Sequence, residues 1–418
     1  MSDAAAPAAE APLARPDRRP LIAFIADAPT EAALREGLIE AAPGGLDVRR
    51  GNVRAAIAAL QKMPTPECLV VDVSGEEQPL TALGQLSEVV EPGARVLVIG
   101  ELEDVNFYRH ITRSLGALEY LYKPLTRDMV ARLFGPLVMR APPGSEGVLS
   151  GRVVTISGVR GGVGATTVAA NLAWHFGVSA RRHTVLLDAD LHLGTAALLL
   201  GAKTGPGLRM ALEAPQRIDA LFVERAAQPV AERLHILAGE EAPHEHHACA
   251  PGAAQRLVEV LRQRYNFVLV DARFAALPVN RELLDIAHRR VLVMEPSVAG
   301  VRDALRFLAM PAGPKQSQRP VVVLNRIGRP GSLNRRQVED ALKLRPDVAI
   351  PDLPRLLGHA ANMGEPAVGS RGAFRAGIVE LAREVGFVGL LDASAGLRNR
   401  ALLKEQSRRK GRLFGLFG

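Results

Sequence analysis

Only two cysteines occur in the 418 residues, Cys68 and Cys249, and no CxxC pair is formed. That excludes a disulfide framework and fits a reducing, cytoplasmic setting. Aromatic residues are sparse at 4%, so the 48% of apolar residues, ample for packed cores, is mostly aliphatic. No apolar run approaches the roughly 20 residues that a membrane helix needs. The N-terminal stretch MSDAAAPAAEAPLARPDRRP lacks the apolar core that follows the basic start of a signal peptide. What is present is positive charge. The net charge of +8 and a pI near 9.9 suit acidic partners such as nucleic acid or anionic lipid, and equally suit an arginine-rich surface whose charges are merely solvated. The length implies two or three domains.

Residues 1–20, rich in Ala and Pro, read as a disordered tail. Strand-like runs then alternate with helical stretches. LIAFIAD precedes a helix over 30–42, a weak strand covers 46–49, and a helix covers 52–61. CLVVDV (68–73) is a strand ending in an acid. A helix over 81–90, ARVLVIG (94–100), a helix over 105–115, EYLYKP (119–124) and a helix from 127 to about 139 follow. Strands alternating with helices imply a parallel, doubly wound sheet. Five βα units of this spacing resemble a response-regulator receiver domain over 21–140. The resemblance gives Asp72 the place of the phosphate acceptor, Lys123 that of the lysine before Pro124, and Tyr120 that of the nearby aromatic. The acidic pair after the first strand is reduced to Ala26-Asp27, which weakens Mg²⁺ binding because a hard cation needs several oxygens. The switch Ser/Thr is replaced by Gly100. An aspartyl-phosphate switch and a pseudo-receiver used for docking or dimerisation both stay open, and the departures favour the second.

A Pro/Gly/Ser linker, RAPPGSEGVLSG (140–151), leads to GRVVTISGVRGGVGATTVAAN (151–171). Here a β-branched run, Val153 to Ile156, ends at a glycine-rich turn. Thr166 and Thr167 then open an alanine-rich helical stretch running to Phe176. Strand, glycine loop and helix start in this order form a P-loop, whose backbone N–H groups from Gly161, Gly162, Val163, Gly164, Ala165, Thr166 and Thr167 cradle phosphate. At Gly161, Gly162 and Gly164 a side chain would block close approach or forbid positive φ. The usual lysine before the threonines is absent, and Ala165 stands there. Further strands are readable at 184–188, 234–238, 267–271, 290–294, 321–325 and 348–350, with helices over 252–264, 297–310 and 333–344 between them. The fold class expected is therefore α/β, two doubly wound parallel-sheet domains: a receiver-like, flavodoxin-type fold, then a P-loop NTPase fold over 152–391.

Arg160-Gly-Gly-Val-Gly-Ala-Thr-Thr resembles the deviant Walker A motif of the MinD/ParA class, lysine-Gly-Gly-x-Gly-Lys-Thr-Thr. In that family the first lysine reaches the phosphates of the partner subunit, a place taken here by Arg160 with its planar, bidentate head. The resemblance implies ATP and Mg²⁺ as ligands, with Thr166 on the metal. LLDADLHLG supplies Asp188 as a metal-side carboxylate and Asp190 as the acid that positions the attacking water. NFVLVDAR looks like a Walker B strand delivering Asp271 to the metal, with Arg273 as a nearby switch cation. VVVLNR (321–326) matches the family's Asn-Arg motif, which gives Asn325 adenine recognition with Arg326 beside it.

Ala349 to Val368, AIPDLPRLLGHAANMGEPAV, together with LHILAGEEAP and VRDALRFL, resembles one branch of that class, the TadZ/CpaE-type proteins of Tad (Flp) pilus assembly. Many members carry alanine in place of the P-loop lysine. Losing that charge makes turnover slow or absent, while backbone N–H groups and Mg²⁺ sustain binding. The resemblance implies a cytoplasmic scaffold or positioning protein, an ATP-bridged homodimer, and other pilus or secretion components as partners. Placement at the inner membrane or cell pole stays open. Two rivals remain: a ParA/MinD-like DNA-partitioning or division-site ATPase, and a nucleotide-free docking platform. No specific nucleic acid is expected. The His244-Glu-His-His247 stretch with Cys249 matches no helical zinc spacing and reads as loop without metal. In the C-terminal tail (392–418), Arg408, Arg409, Lys410 and Arg412 adjoin Leu413, Phe414, Leu416 and Phe417, a mixture suited to an anionic membrane surface or a partner groove, and equally to a solvated tail.

Overall fold

In the computed structural model, which describes residues 20–139, 151–273 and 278–386, the chain divides into two units. One comprises residues 1–83 and 93–149, the other residues 84–92 and 150–418. The two tails and most of the linker read from the sequence lie outside the described residues. Among the described residues, no helix is long and apolar enough to cross a membrane.

The first unit carries β1 (Leu21–Ile25), α1 (Ala28–Gly37), β2 (Asp47–Arg50), α2 (Val53–Leu60), β3 (Cys68–Asp72), α3 (Pro79–Val89), β4 (Arg95–Gly100), α4 (Val105–Arg109), β5 (Glu119–Tyr122), α5 (Arg127–Leu133) and α6 (Gly135–Met139), the 83/84 division falling within α3. Its strands pair in the order β2-β1-β3-β4-β5, all parallel. Helices on both faces bury β1 and β3 along their whole lengths, which is why each is a continuous apolar run. Leu21, Ala23 and Ile25 share a core with Leu34, Val130 and Phe134. The strand order reverses between β1 and β3, so their carboxyl ends flank a crevice that brings Asp27 and Asp72 together. Three helices differ from the sequence reading. The expected 30–42 helix spans Ala28–Gly37 and gives way to turns. The expected 127–139 helix breaks into α5 and α6 at Pro136, which supplies no N–H and crowds the preceding turn. The 105–115 helix widens into a π-helical turn over His110–Ser114.

The second unit runs β6 (Arg152–Gly158), α7 (Ala165–Trp174), β7 (Thr184–Asp188), α8 (Ala196–Leu199), α9 (Gly207–Glu213), α10 (Ala220–Ala226), β8 (Gln228–Ala231), β9 (Leu234–Leu237), α11 (Ala253–Arg262), β10 (Phe267–Asp271), α12 (Pro278–Ile286), β11 (Arg289–Met294), α13 (Val298–Leu308), β12 (Val321–Ile327), α14 (Arg335–Leu342), β13 (Val348–Pro351), α15 (Pro354–Met363) and α16 (Ala373–Val385). Its eight strands lie in the order β13-β12-β11-β6-β10-β7-β9-β8, and every pairing is parallel except β8 with β9. Alternation along the strands feeds cores on both faces of the sheet. Val154, Ile156, Phe267 and Leu269 pack with α7 and α16 on one face, where the Phe176 and Phe267 rings stack 4.1 Å apart. Val153, Val268 and Val270 pack with Leu257 and Leu261 of α11 on the other. The edge strand β8 escapes sequence reading because Pro229 argues against a strand; at an edge, proline costs only an outward-facing donor.

Candidate functional site

β6 is the central strand of the second sheet, and its carboxyl end opens into the glycine loop that starts α7. Gly164 caps α7 at φ 91°, and a Cβ there would stand 2.7 Å from Asn325 Nδ2. Gly162 lies at φ 79°. Both positions therefore demand glycine. Gly161 does not: its φ lies outside the left-handed region, and a Cβ there would meet nothing. Within this chain, the expected steric need for glycine at Gly161 is thus absent. Val163 is buried beneath the loop, and its carbonyl accepts a hydrogen bond from Asn325 Nδ2 at 2.8 Å. Ala165, Thr166 and Thr167 form the first turn of α7, whose free N–H groups and dipole favour an anion.

Strand register then sets the acids. Asp271, last in β10, pairs directly with Asp188, last in β7, and with Ile156 of β6. Asp188 is buried; its Oδ1 accepts from Asp190 N at 3.2 Å and its Oδ2 from Ala196 N at 3.0 Å. Burial pushes its carboxyl above the usual range, against those two backbone donors. Asp271 is pushed up to about 7, first by burial and then by the charge of Asp188, while a hydrogen bond with Thr166 and the charge of Arg273 oppose the shift. Asp190 caps the turn after β7, accepting from His192 N and Leu193 N, and its Oδ2 pairs with Arg273 Nε at 2.8 Å. Carboxylates thus outnumber cations beside the helix start. Two buried carboxyls held above their normal range next to the Thr166 hydroxyl are an oxygen-donor set that fits Mg²⁺.

Arg160 is where the sequence reading is least complete. Its Nη1 lies 2.7 Å from Asp303 Oδ2 on α13, an acid also bound by Arg302. The hydrogen bond with Arg302, then that with Arg160, holds the Asp303 carboxyl low despite partial burial. Asp303 lies inside the quoted VRDALRFL run, yet nothing in spacing singles it out. Asn325 is buried, its amide nitrogen committed to the loop and its Oδ1 without a hydrogen-bond partner among the described residues. Arg326 adopts φ 59°, a left-handed conformation that a non-glycine residue adopts at a cost, and its Nη1 lies 3.6 Å from Glu295.

In the first unit, Lys123 Nζ sits 2.5 Å from Asp27 Oδ2 and 2.6 Å from Asp72 Oδ2, so all three residues expected together do meet. Asp72 is fully buried and also accepts from Ala26 N and Ser74 N. Burial pulls the Lys123 ammonium down, but its hydrogen bonds to Asp27 and then Asp72 outweigh it and hold the group above its usual value. The space a side chain at position 100 would need is filled: a Cβ on Gly100 would stand 2.9 Å from the Tyr120 hydroxyl, which exchanges hydrogen bonds with the Leu102 backbone.

Loop, helix start and strand-end acids lie at the centre of this sheet as in the MinD/ParA-like P-loop NTPase fold. Residues 152–312 match the family model described as cellulose biosynthesis protein BcsQ. The sequence is 23% identical over 189 residues to the septum site-determining protein MinD of Bacillus subtilis (strain 168), covering 42% of this chain and 65% of that protein, just under two thirds of its length. The solved structure of a ParA family ATPase from Chlorobium tepidum TLS is similar with a TM-score of 0.51 at 18% identity, covering 56% of this chain and 98% of the other. A pilus assembly protein, CpaE from Caulobacter crescentus CB15, is 35% identical with a TM-score of 0.25, covering 28% of this chain and 97% of its own.

Proposed function

We propose that this protein is an ATP-binding scaffold or localisation protein for assembly of a Tad-type pilus machine, closing as a nucleotide-dependent sandwich dimer with weak or no hydrolysis. One observation carries the nucleotide part: the buried, cation-poor pair Asp188 and Asp271 beside Thr166, at the mouth of a glycine loop whose lysine position is Ala165. In this reading the loop N–H groups bind the phosphates. Thr166, Asp188 and Asp271 hold Mg²⁺, which neutralises phosphate charge when bound. Asp190 orients water, and without a lysine at 165 little opposes the charge that builds up in phosphoryl transfer. Arg160 leaves Asp303 to reach the phosphates of the partner. Asn325 and Arg326 border the base. We take 21–140 as a pseudo-receiver used for docking and 152–391 as the ATPase domain; the Lys123 contacts of buried Asp72 and the Tyr120 hydroxyl beside Gly100 support the former. The pilus assignment is supported by that domain order, by Gly-Val-Gly-Ala-Thr and by the Ile350-Pro351-Asp352 sequence at the end of β13.

Sedimentation velocity with ATP–Mg²⁺, ADP–Mg²⁺ and no nucleotide, beside a phosphate-release assay, tests the reading. Dimers with ATP alone and slow release are expected; dimers formed equally well without nucleotide would overturn it. Loss of surface pili in a host carrying Asp188→Ala tests the pilus assignment.

A further inference from the structure

Away from the P-loop, the segment between β9 and α11 folds back on α9 and on the residues following Asp190. Glu241 N donates to Leu191 O at 2.8 Å, Ala250 N donates to Leu212 O at 2.8 Å, and His192 Nε2 meets Glu245 O at 2.9 Å. The His192 and His247 rings stack with centroids 5.7 Å apart. This packing gathers one ligand atom each from Glu241, Glu245 and His247 within 4.8 Å of one another.

The imidazole decides what the cluster is for. His247 Nδ1 lies 3.1 Å from Glu213 Oε1, a hydrogen bond that places a ring proton on Nδ1, so that in the neutral imidazole the Nε2 lone pair is free. Nε2 is itself buried, has no hydrogen-bond partner among the described residues, and points at Glu245 Oε2 and Glu241 Oε2, 3.5 and 3.7 Å away. Those separations exceed the roughly 2.7–3.2 Å of an N–H···O bond. They match co-ligands: two atoms each about 2.1 Å from a tetrahedral ion stand about 3.4 Å apart. Glu213 supplies the carboxylate–histidine contact that orients a metal-binding imidazole. Arg209 Nε, 2.9 Å from Glu241 Oε1, fixes the other oxygen of that carboxylate. Three carboxylates, Glu213, Glu241 and Glu245, face one guanidinium, so the site has charge to spare for a divalent ion.

We propose that Glu241, Glu245 and His247 hold a divalent transition-metal ion of the zinc class. Mixed imidazole and carboxylate donors suit zinc better than magnesium. Glu245, half exposed, leaves the fourth position to water. The ion ties the 238–252 loop to α9 and, through His192, to the turn that Asp190 caps. Cys249 stands apart from the three ligand atoms.

The test is zinc titration of chelator-stripped full-length protein against a chromophoric competitor. One zinc per chain is expected, weakened by about tenfold or more in His247→Gln and in Glu245→Gln, the latter at a half-exposed side chain. Asp188→Ala and Cys249→Ser should bind zinc as the parent does. The Co²⁺ spectrum of the parent should lack a thiolate charge-transfer band. No stoichiometric zinc, zinc unaffected by both ligand variants, or a thiolate band would each overturn the proposal.

Discussion

Asp271→Asn should stabilise the nucleotide-free protein. Burial holds the folded-state Asp271 carboxyl near 7, against 3.8 for a solvent-exposed aspartate. An acid raised in the folded state binds more protons there than when unfolded, so stability falls as pH climbs from about 4 to about 7 and the full penalty holds above. A rise of about three units corresponds to about 4 kcal/mol, or about 10 °C in melting temperature for a unit of this size. Asparagine keeps the shape and can still bond Thr166, while the repulsion with Asp188 disappears. Urea unfolding of parent and variant, metal-free, at about pH 4, 6 and 8 reads this directly. The difference should be close to zero at the lowest pH and about 4 kcal/mol in favour of the variant at the highest. ATP–Mg²⁺ should reverse the order by stabilising the parent alone. A variant less stable than the parent at about pH 8, or a difference independent of pH, would mean that the buried Asp271 carboxylate carries no such penalty. Comparing the two proteins cancels the opposite trend of His288, whose burial depresses it to about 3 and which loses stability on acidification.

Gly164→Ala forces a side chain to φ 91° and to within 2.7 Å of Asn325 Nδ2, so a cost of about 1–3 kcal/mol by urea unfolding and loss of ATP binding are expected. Ala165→Lys restores a phosphate-facing cation at the first position of α7; phosphate release should rise by about tenfold or more, and no rise would show that the missing lysine is not what limits turnover. Beryllofluoride with Mg²⁺ should leave the amide spectrum of the first unit unchanged, because Lys123 and two backbone donors already occupy buried Asp72; shifts around Asp72 would mean a working acceptor.

The strands were legible because both-face burial turns them into apolar runs, and the P-loop because glycine punctuates it between a β-branched run and an alanine-rich helix. Asp188 and Asp271 were each readable as strand-ending acids. That they stand in register depends on β10 inserting between β6 and β7, an order that local pattern does not carry. The Arg160–Asp303 pair spans 143 positions and joins a loop to a helix face, so no spacing rule reaches it. The contacts of the histidine-rich loop are illegible for a related reason. Helical zinc spacing does not bring Glu241, Glu245 and His247 together; their side chains converge through a loop folded onto α9, with Glu213 supplied from that helix.

Calorimetric titration with ATP–Mg²⁺ of the parent beside Asp188→Ala reads out the nucleotide site itself. Saturable binding by the parent and its loss in the variant are expected. Absence of binding by the parent, or equal binding by both, would contradict the assignment of that site.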